Sequence, residues 1–133
     1  MPAGSGPSIS TTLLNTSIAT AELAVLQTPL SNWNDNLGNL VSATINYNAS
    51  AAQTLTVRIR QGVGVTGAVV STADAIALGA AGVSVQTIQV ADNSAFALQG
   101  ANQAYTVTLQ SSIAGPGTVN RALVELESIS AVS

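Results

Sequence analysis

Strict alternation of apolar and polar residues in Gln53–Arg60 constrains the fold most strongly. Leu55, Val57 and Ile59 alternate with Thr54, Thr56, Arg58 and Arg60. Because successive side chains of a β-strand point to opposite faces, this spacing predicts a strand with one buried and one solvated face. It also places two of the three cationic side chains on the solvated face. We therefore expect this strand to need a second apolar layer packed against it.

Similar strand patterns recur along the chain, separated by turn-forming residues. Alternation is clearest in 41–47 and 103–110, and 119–129 is the last predicted strand. Residues 68–71 suit a strand that leads into a loop, and residues 71–78 form at most a short helix with Ser71 as its N-cap. We expect residues 48–52 to join 41–47 and 53–60 as an antiparallel hairpin. The predicted fold is an all-β antiparallel sandwich of the jelly-roll type, with about eight short strands and at most a short helix.

The domain prediction follows from where the strand patterns begin. Residues 1–10 contain the Pro, Gly and Ser typical of a flexible arm, and a chain of 133 residues suits one domain. We therefore predict an N-terminal arm over 1–10 and a single sandwich domain over 11–133.

Composition excludes much of enzyme and metal chemistry. The chain has no Cys and no His, which removes disulfides, thiolate metal sites and the commonest general base. Charged residues make up 7% of the chain, against about 25% in typical soluble domains. We find no convergent catalytic set, and we predict no catalytic residue, no bound metal, no cofactor and no enzymatic activity.

Charge also limits the partners that the chain can bind. The net charge is −3 and there is no Lys, so no basic patch is present to neutralise phosphates. Nucleic acids and anionic membrane surfaces are therefore not expected partners. A surface of Ser, Thr, Asn, Gln and Ala carries little charge that could repel another copy of the chain. Such a surface favours contact with other subunits.

One stretch matches a dinucleotide-binding pattern by its letters alone. Gly62-Val-Gly-Val-Thr-Gly67 fits G-x-G-x-x-G, but a dinucleotide site requires a buried strand before it and a full helix after it. The preceding strand has a polar face and the following segment is short and rich in Ala and Gly. We interpret the stretch as a loop.

Candidate subunit-interface residues come from the unusual aromatic and charged positions. Trp33 lies in an Asn-rich segment, where it could anchor an interface, close one end of the sandwich or stack on a sugar. Glu125 and Glu127 share one face of the last strand and could form a ladder with Arg58 and Arg60 on an adjacent strand or subunit. The full set of candidates is Trp33, Arg58, Arg60, Arg121, Leu123, Glu125 and Glu127.

Several strands are rich in Thr, as in Tyr105-Thr-Val-Thr-Leu109, and the chain closes on the strand Ala122-Leu-Val-Glu-Leu126. In this general pattern of strands, the sequence resembles jelly rolls of the tumour-necrosis-factor/C1q type. Phage decoration proteins, head-fibre domains and spore-surface proteins use related sandwiches. This resemblance implies a non-enzymatic homotrimer on a surface, and we expect a virion decoration or cement protein bound to a major capsid protein or another surface lattice. Two alternatives remain open: a self-polymerising extracellular filament subunit whose N-terminal arm completes a neighbour's sheet, and a glycan-binding module.

Overall fold

The computed structural model describes residues 7–28, 31–32, 36–71, 75–94, 102–113 and 117–130, and within these it describes the side chains of 17–28, 38–71, 75–94, 104–113 and 117. Regular structure in these residues is entirely β. None of them forms a helix that is long and apolar enough to cross a membrane. The strands are β1 (Pro7–Ile18), β2 (Leu23–Gln27), β3 (Ser31–Asn32), β4 (Asn36–Ala49), β5 (Gln53–Gln61), β6 (Ala75–Leu78), β7 (Gly82–Asp92), β8 (Asn102–Gln103), β9 (Tyr105–Ser111) and β10 (Gly117–Ser130).

Eight of these strands form two four-stranded antiparallel sheets. Sheet A has the order β1-β10-β4-β7 and sheet B has the order β2-β9-β5-β6, while β3 and β8 form a separate short pair. The prediction of an all-β antiparallel sandwich is confirmed. The first strand lies beside the last and the chain passes repeatedly between the sheets, an order that is compatible with jelly-roll winding.

A single apolar core lies between the two sheets. β5 contributes Leu55, Val57 and Ile59, each at most 1% exposed, as the alternation predicted. β4 contributes Val41, Ala43, Ile45 and Tyr47 from the opposite sheet. Each strand is apolar on one face only, so stacking the two sheets buries both apolar faces while leaving the polar faces outside.

The predicted hairpin between 41–47 and 53–60 is wrong. β4 pairs with β10 and β7 in sheet A, whereas β5 pairs with β9 and β6 in sheet B. Residues 50–52 therefore carry the chain from one sheet to the other. The alternation identified both strands, but both sides of β4 are already occupied within its own sheet, so β5 packs across the core instead of beside it.

Two other segments differ in detail from the sequence interpretation. Ala75–Leu78 forms strand β6, and the Ser71 hydroxyl accepts a hydrogen bond from the Ile59 amide at 3.0 Å instead of capping a helix. Strand β1 begins at Pro7, so residues 7–10 of the predicted arm are paired with β10, and residues 1–6 lie outside the described residues.

Buried hydrogen-bond networks join the sheets near both ends of β4. Near its start, the Tyr105 hydroxyl of sheet B donates to the Asp92 carboxylate at 2.6 Å and accepts from the Asn39 amide at 2.9 Å. Near its end, the Tyr47 hydroxyl of sheet A donates to Gln53 at 2.9 Å, and Ser111 donates to the same oxygen. We call these the Tyr105 network and the Tyr47 network. Each satisfies buried polar groups that would otherwise oppose folding.

The Tyr105 network holds a charge, whereas the side chains of the Tyr47 network are neutral. Burial would raise the pKa of Asp92, but hydrogen bonds from Tyr105, Ser94 and Gln61 together hold it below its ordinary value. Burial, assisted by the adjacent carboxylate, raises the pKa of Tyr105, and burial also raises the pKa of Tyr47. Asp92 is therefore a carboxylate at neutral pH that depends on its donors.

We expect Tyr105→Phe to lower the free energy of unfolding by about 1–3 kcal/mol, because it keeps the ring but removes a donor from a buried carboxylate. Tyr47→Phe is the matched control, since it removes a hydroxyl that bonds only to a neutral amide. Its cost should be smaller, about 1 kcal/mol. Denaturant unfolding of both variants at pH 7 measures the difference. Equal losses of unfolding free energy in the two variants would show that the buried Asp92 carboxylate does not depend on the Tyr105 hydroxyl.

Candidate functional site

The outer face of sheet B carries a charge cluster made of Glu22, Arg58 and Arg60. The Arg60 guanidinium donates to both oxygens of Glu22, from Nε at 2.7 Å and from Nη2 at 2.8 Å. Arg58 lies 3.5 Å from the same carboxylate and donates to Gln110 at 2.8 Å. Thr108 also donates a hydrogen bond to Glu22. We call this set the Glu22 cluster.

The Glu22 cluster holds its carboxylate strongly in the charged form. Hydrogen bonds from Arg60 lower the pKa of Glu22 from 4.5 to about 2, outweighing the effect of burial, and Thr108 and Arg58 add to the lowering. The same hydrogen bonds raise the pKa of Arg60. Since the acid stays ionised and is saturated with donors, it is poorly suited to transfer a proton near neutral pH.

The loop 62–67 folds onto the outer face of sheet B beside this cluster. The Gly67 carbonyl accepts from Arg60 at 2.6 Å, and the Thr106 hydroxyl donates to the Gly62 carbonyl at 2.7 Å. Gly62 and Gly64 have φ values of +80° and +84°, which glycine adopts without strain. The G-x-G-x-x-G match is therefore a loop fastened to its own sheet, as the sequence analysis predicted.

The outer face of sheet A is uncharged at its described side chains. On β7, Val83 and Val85 are 63% and 61% exposed, and on β4 the outward side chains are neutral. The hydroxyls of Thr44 and Thr87 lie 3.1 Å apart across the two strands. Two exposed valines that lie together on one face mark it as a candidate contact surface.

Four predicted interface residues occupy register positions on β10, beside this face. Arg121 is paired with Asn46, Leu123 with Thr44, Glu125 with Ser42 and Glu127 with Leu40. On the other side of β10, these positions pair with Leu13, Thr11, Ile9 and Pro7 of β1. The backbone thus brings the four β10 positions into rows with outward residues of β4. Their role at an interface stays a prediction.

The other candidates are distributed differently. Arg58 and Arg60 lie on sheet B, whereas Glu125 and Glu127 belong to β10 of sheet A, so a ladder between adjacent strands of one chain is wrong. The two arginines are instead paired with Glu22. A ladder between subunits stays a prediction. Trp33 lies outside the described residues.

Sequence reasoning missed Glu22 as well as the exposed pair Val83 and Val85. Glu22 lies just before β2, far from Arg60 in sequence, and no local pattern connects them. In β7, residues 83, 85 and 87 alternate with 84, 86 and 88, and each set mixes apolar and polar residues. The register between β7 and β4 decides which set faces the core. Ile88 and Val90 pair with the buried Ala43 and Val41 of β4, so the set that contains Val83 and Val85 faces outward.

The described residues offer little to a metal or cofactor. They contain no group of three or more acidic residues that could hold a metal ion. A depression of about 210 Å³ lies where β6 leads into β7, lined mainly by Ala and Gly between Ala77 and Ser84. It has no charged side chain in its lining.

Comparison with known proteins adds a fold but no family. No family model matches the chain, and no curated protein matches it. A chain of infectious bursal disease virus Gx strain is 12% identical with a TM-score of 0.55, covering 92% of this chain and 32% of that one. A Bacillus endospore appendage protein, described as forming disulfide-linked pili, is 15% identical with a TM-score of 0.49, covering 98% and 92%. A tumour necrosis factor from S. frugiperda, Eiger, is 10% identical with a TM-score of 0.49, covering 95% and 88%.

At these identities the structural likeness establishes the fold alone. The viral chain exceeds a TM-score of 0.5, and this chain spans about a third of its length. The likeness to the viral chain thus agrees with a β-sandwich, while the particular family that the sequence resembles is not established.

We expect Glu22 to stabilise the fold in a pH-dependent way. Because folding lowers its pKa, its contribution is fully present above pH 4.5 and is lost as the pH falls towards 2. Between pH 6 and pH 2, the wild type should lose about 3 kcal/mol more unfolding free energy than Glu22→Gln. Denaturant unfolding at both pH values measures this. Equal losses of unfolding free energy in the wild type and in Glu22→Gln would contradict the lowered pKa of Glu22.

We expect Gly67→Ala to disturb the loop that covers sheet B. An added Cβ would overlap the Gln61 carbonyl oxygen, so the backbone must shift. The matched control is Gly79→Ala, where nothing lies within 4 Å of the added atom. Gly67→Ala should cost about 1–3 kcal/mol, and Gly79→Ala should change stability by less than about 1 kcal/mol. Thermal unfolding of the pair tests the difference.

Proposed function

We propose that this domain is a non-enzymatic structural subunit of a surface assembly, in which copies pack through the outer face of sheet A. In its most specific form, the proposal is a virion decoration or cement protein that acts as a homotrimer bound to a major capsid protein or another surface lattice. Its location is then the virion surface. A structural domain of this kind works by fitting neighbours and needs no reactive group.

The exposed pair Val83 and Val85 carries this proposal. These side chains lie on a sheet face where the outward side chains of β4 and β7 are uncharged, and both are more than three-fifths exposed. Covering them with another subunit removes apolar surface from water, at roughly 25 cal/mol per Å². A neutral rim of Ser, Thr and Asn supplies hydrogen-bonding groups around them.

The state of the acidic residues supports a structural role over a catalytic one. Glu22 is held by two arginines and a threonine, and Asp92 is held inside the sandwich by the Tyr105 network. Both described carboxylates therefore stabilise the fold. The described cations Arg58 and Arg60 are likewise engaged within the chain.

A second candidate is a self-polymerising extracellular filament subunit, and the long outer strands of sheet A favour it. β1 and β7 are 12 and 11 residues long and lie at the two edges of that sheet. Exposed strand edges can accept a further strand from another chain. The glycan-binding alternative depends on Trp33 and stays a prediction from sequence.

We expect the double variant Val83→Lys/Val85→Lys to weaken self-association at least about tenfold, because it places two cations in an apolar contact. The matched control is Val63→Lys, since Val63 is 61% exposed but belongs to the loop 62–67 on the other sheet. Light scattering across a dilution series gives the native mass of each protein.

The proposal predicts a trimer for the wild type and for Val63→Lys, with a shift towards monomer for the double variant. Circular dichroism should show the same β content in all three. A wild type that stays monomeric at every concentration would overturn the proposal. Open-ended fibres in electron micrographs would favour the filament subunit over the decoration trimer.

A further inference from the structure

Within the part of the chain that the structure describes, both edge strands of sheet A are long and have one unpaired side. Among the described residues, β7 pairs only with β4, and β1 pairs only with β10. The edges of sheet B differ, because β2 and β6 are only 5 and 4 residues long. Short edge strands are one way in which proteins avoid unwanted pairing, and long edges lack that protection.

Strand β7 also lacks the residues that usually protect an edge. Its sequence, Gly-Val-Ser-Val-Gln-Thr-Ile-Gln-Val-Ala-Asp, has no Lys, Arg, Glu or Pro. Its one acid, Asp92, is 5% exposed and accepts a hydrogen bond from Tyr105 inside the sandwich. The edge therefore offers backbone donors and acceptors with no charge and no ring to block a partner.

Strand β1 is suited to be that partner. Sheet A has four antiparallel strands, so β1 and β7 run in opposite directions, and the β1 edge of a second copy in the same orientation would meet β7 antiparallel. Strand β1 has no charged residue either, so the contact brings no like charges together although each copy has a net charge of −3. Its backbone is regular from Pro7 to Leu13 before a register shift.

We propose that β7 of one copy pairs with β1 of the next, so that sheet A continues from subunit to subunit. This inference rests on the proposed role as a structural assembly and names the contact that builds it. The contact is heterologous, because two different edges meet. Repeating it gives a closed ring if the rotation from each copy to the next adds up to a full turn, and an open fibre if it does not. A trimer and a filament are therefore two outcomes of the same pairing.

Pairing of β7 with β1 has an advantage over pairing of β7 with a second β7. A two-fold contact between β7 strands would leave both β1 edges open, whereas the β7–β1 contact covers one edge of each kind. In a closed ring, every open edge of sheet A would be covered. This removes the edges most prone to uncontrolled pairing.

The size of the contact predicts its strength. Seven to eleven residues at about 3.3 Å each extend over roughly 25–35 Å, across a sheet with side chains about 10 Å thick. The covered area, roughly 250–350 Å² per copy, is below the roughly 800 Å² per partner of a standard interface. Pairing of the edges alone is therefore weak, and stable assembly also needs the neighbouring face with Val83 and Val85.

Hydrogen–deuterium exchange, resolved by residue and measured at low and high protein concentration, tests the pairing. In an unpaired edge strand, alternate amides point to solvent, and a new strand protects them. We expect alternate amides of both β7 and β1 to exchange at least about tenfold more slowly at high concentration. Amides of β2 and β6 are the internal control and should not change. Light scattering of the same samples gives the mass.

Each outcome separates the edge pairing from the broader proposal. Oligomers with protection in both β7 and β1 support the inference. Oligomers with protection in β7 alone indicate two-fold pairing and overturn it. Oligomers with unchanged edge amides also overturn it, while the proposed structural function stands. A monomer at all concentrations overturns both.

Discussion

Burial of two alternating apolar faces against each other is the interaction on which the rest of this structure depends. β5 and β4 belong to different sheets and are joined by only three residues, and their inward side chains fill the same core. Once the sheets are stacked, the polar residues of each strand are fixed on the outside. Placement of the Glu22 cluster on sheet B and of Val83 and Val85 on sheet A follows from that one arrangement.

The two outer faces then diverge in character. On sheet B, Glu22 binds both Arg58 and Arg60, and a loop covers part of the sheet. Polar groups beneath, such as Thr106 and Thr108, are at most 1% exposed. On sheet A, the outward side chains of β4 and β7 are neutral, and Val83 and Val85 are exposed. Glu22, Arg58 and Arg60 thus bind one another on sheet B, whereas β10 brings Arg121, Glu125 and Glu127 into register with outward residues of β4 on sheet A.

Sequence alone predicted the class of fold, because alternation of apolar and polar residues along a strand shows which of its two faces is buried. Leu55, Val57 and Ile59 were identified as inward-facing residues for that reason. Alternation does not report which strands become neighbours, so the hairpin between β4 and β5 was wrong and the ladder between Arg60 and Glu127 within one chain was also wrong. In β7, both faces mix apolar and polar residues, and only the register with Val41 and Ala43 decides that Val85 lies outside. The pairing of Glu22 with Arg60 depends on a contact between sequence-distant residues, which no local pattern contains.

The Tyr105 and Tyr47 networks have a consequence for how much change this fold can accept. Each network closes the gap between the sheets with hydrogen bonds supplied by strand residues or by the residues next to them, near opposite ends of β4. The loops that connect the two sheets are therefore not the main element that holds the ends of the sandwich together. Such a sandwich is a suitable scaffold for insertion, because a foreign peptide placed in a connecting loop need not contribute to holding the two layers in place.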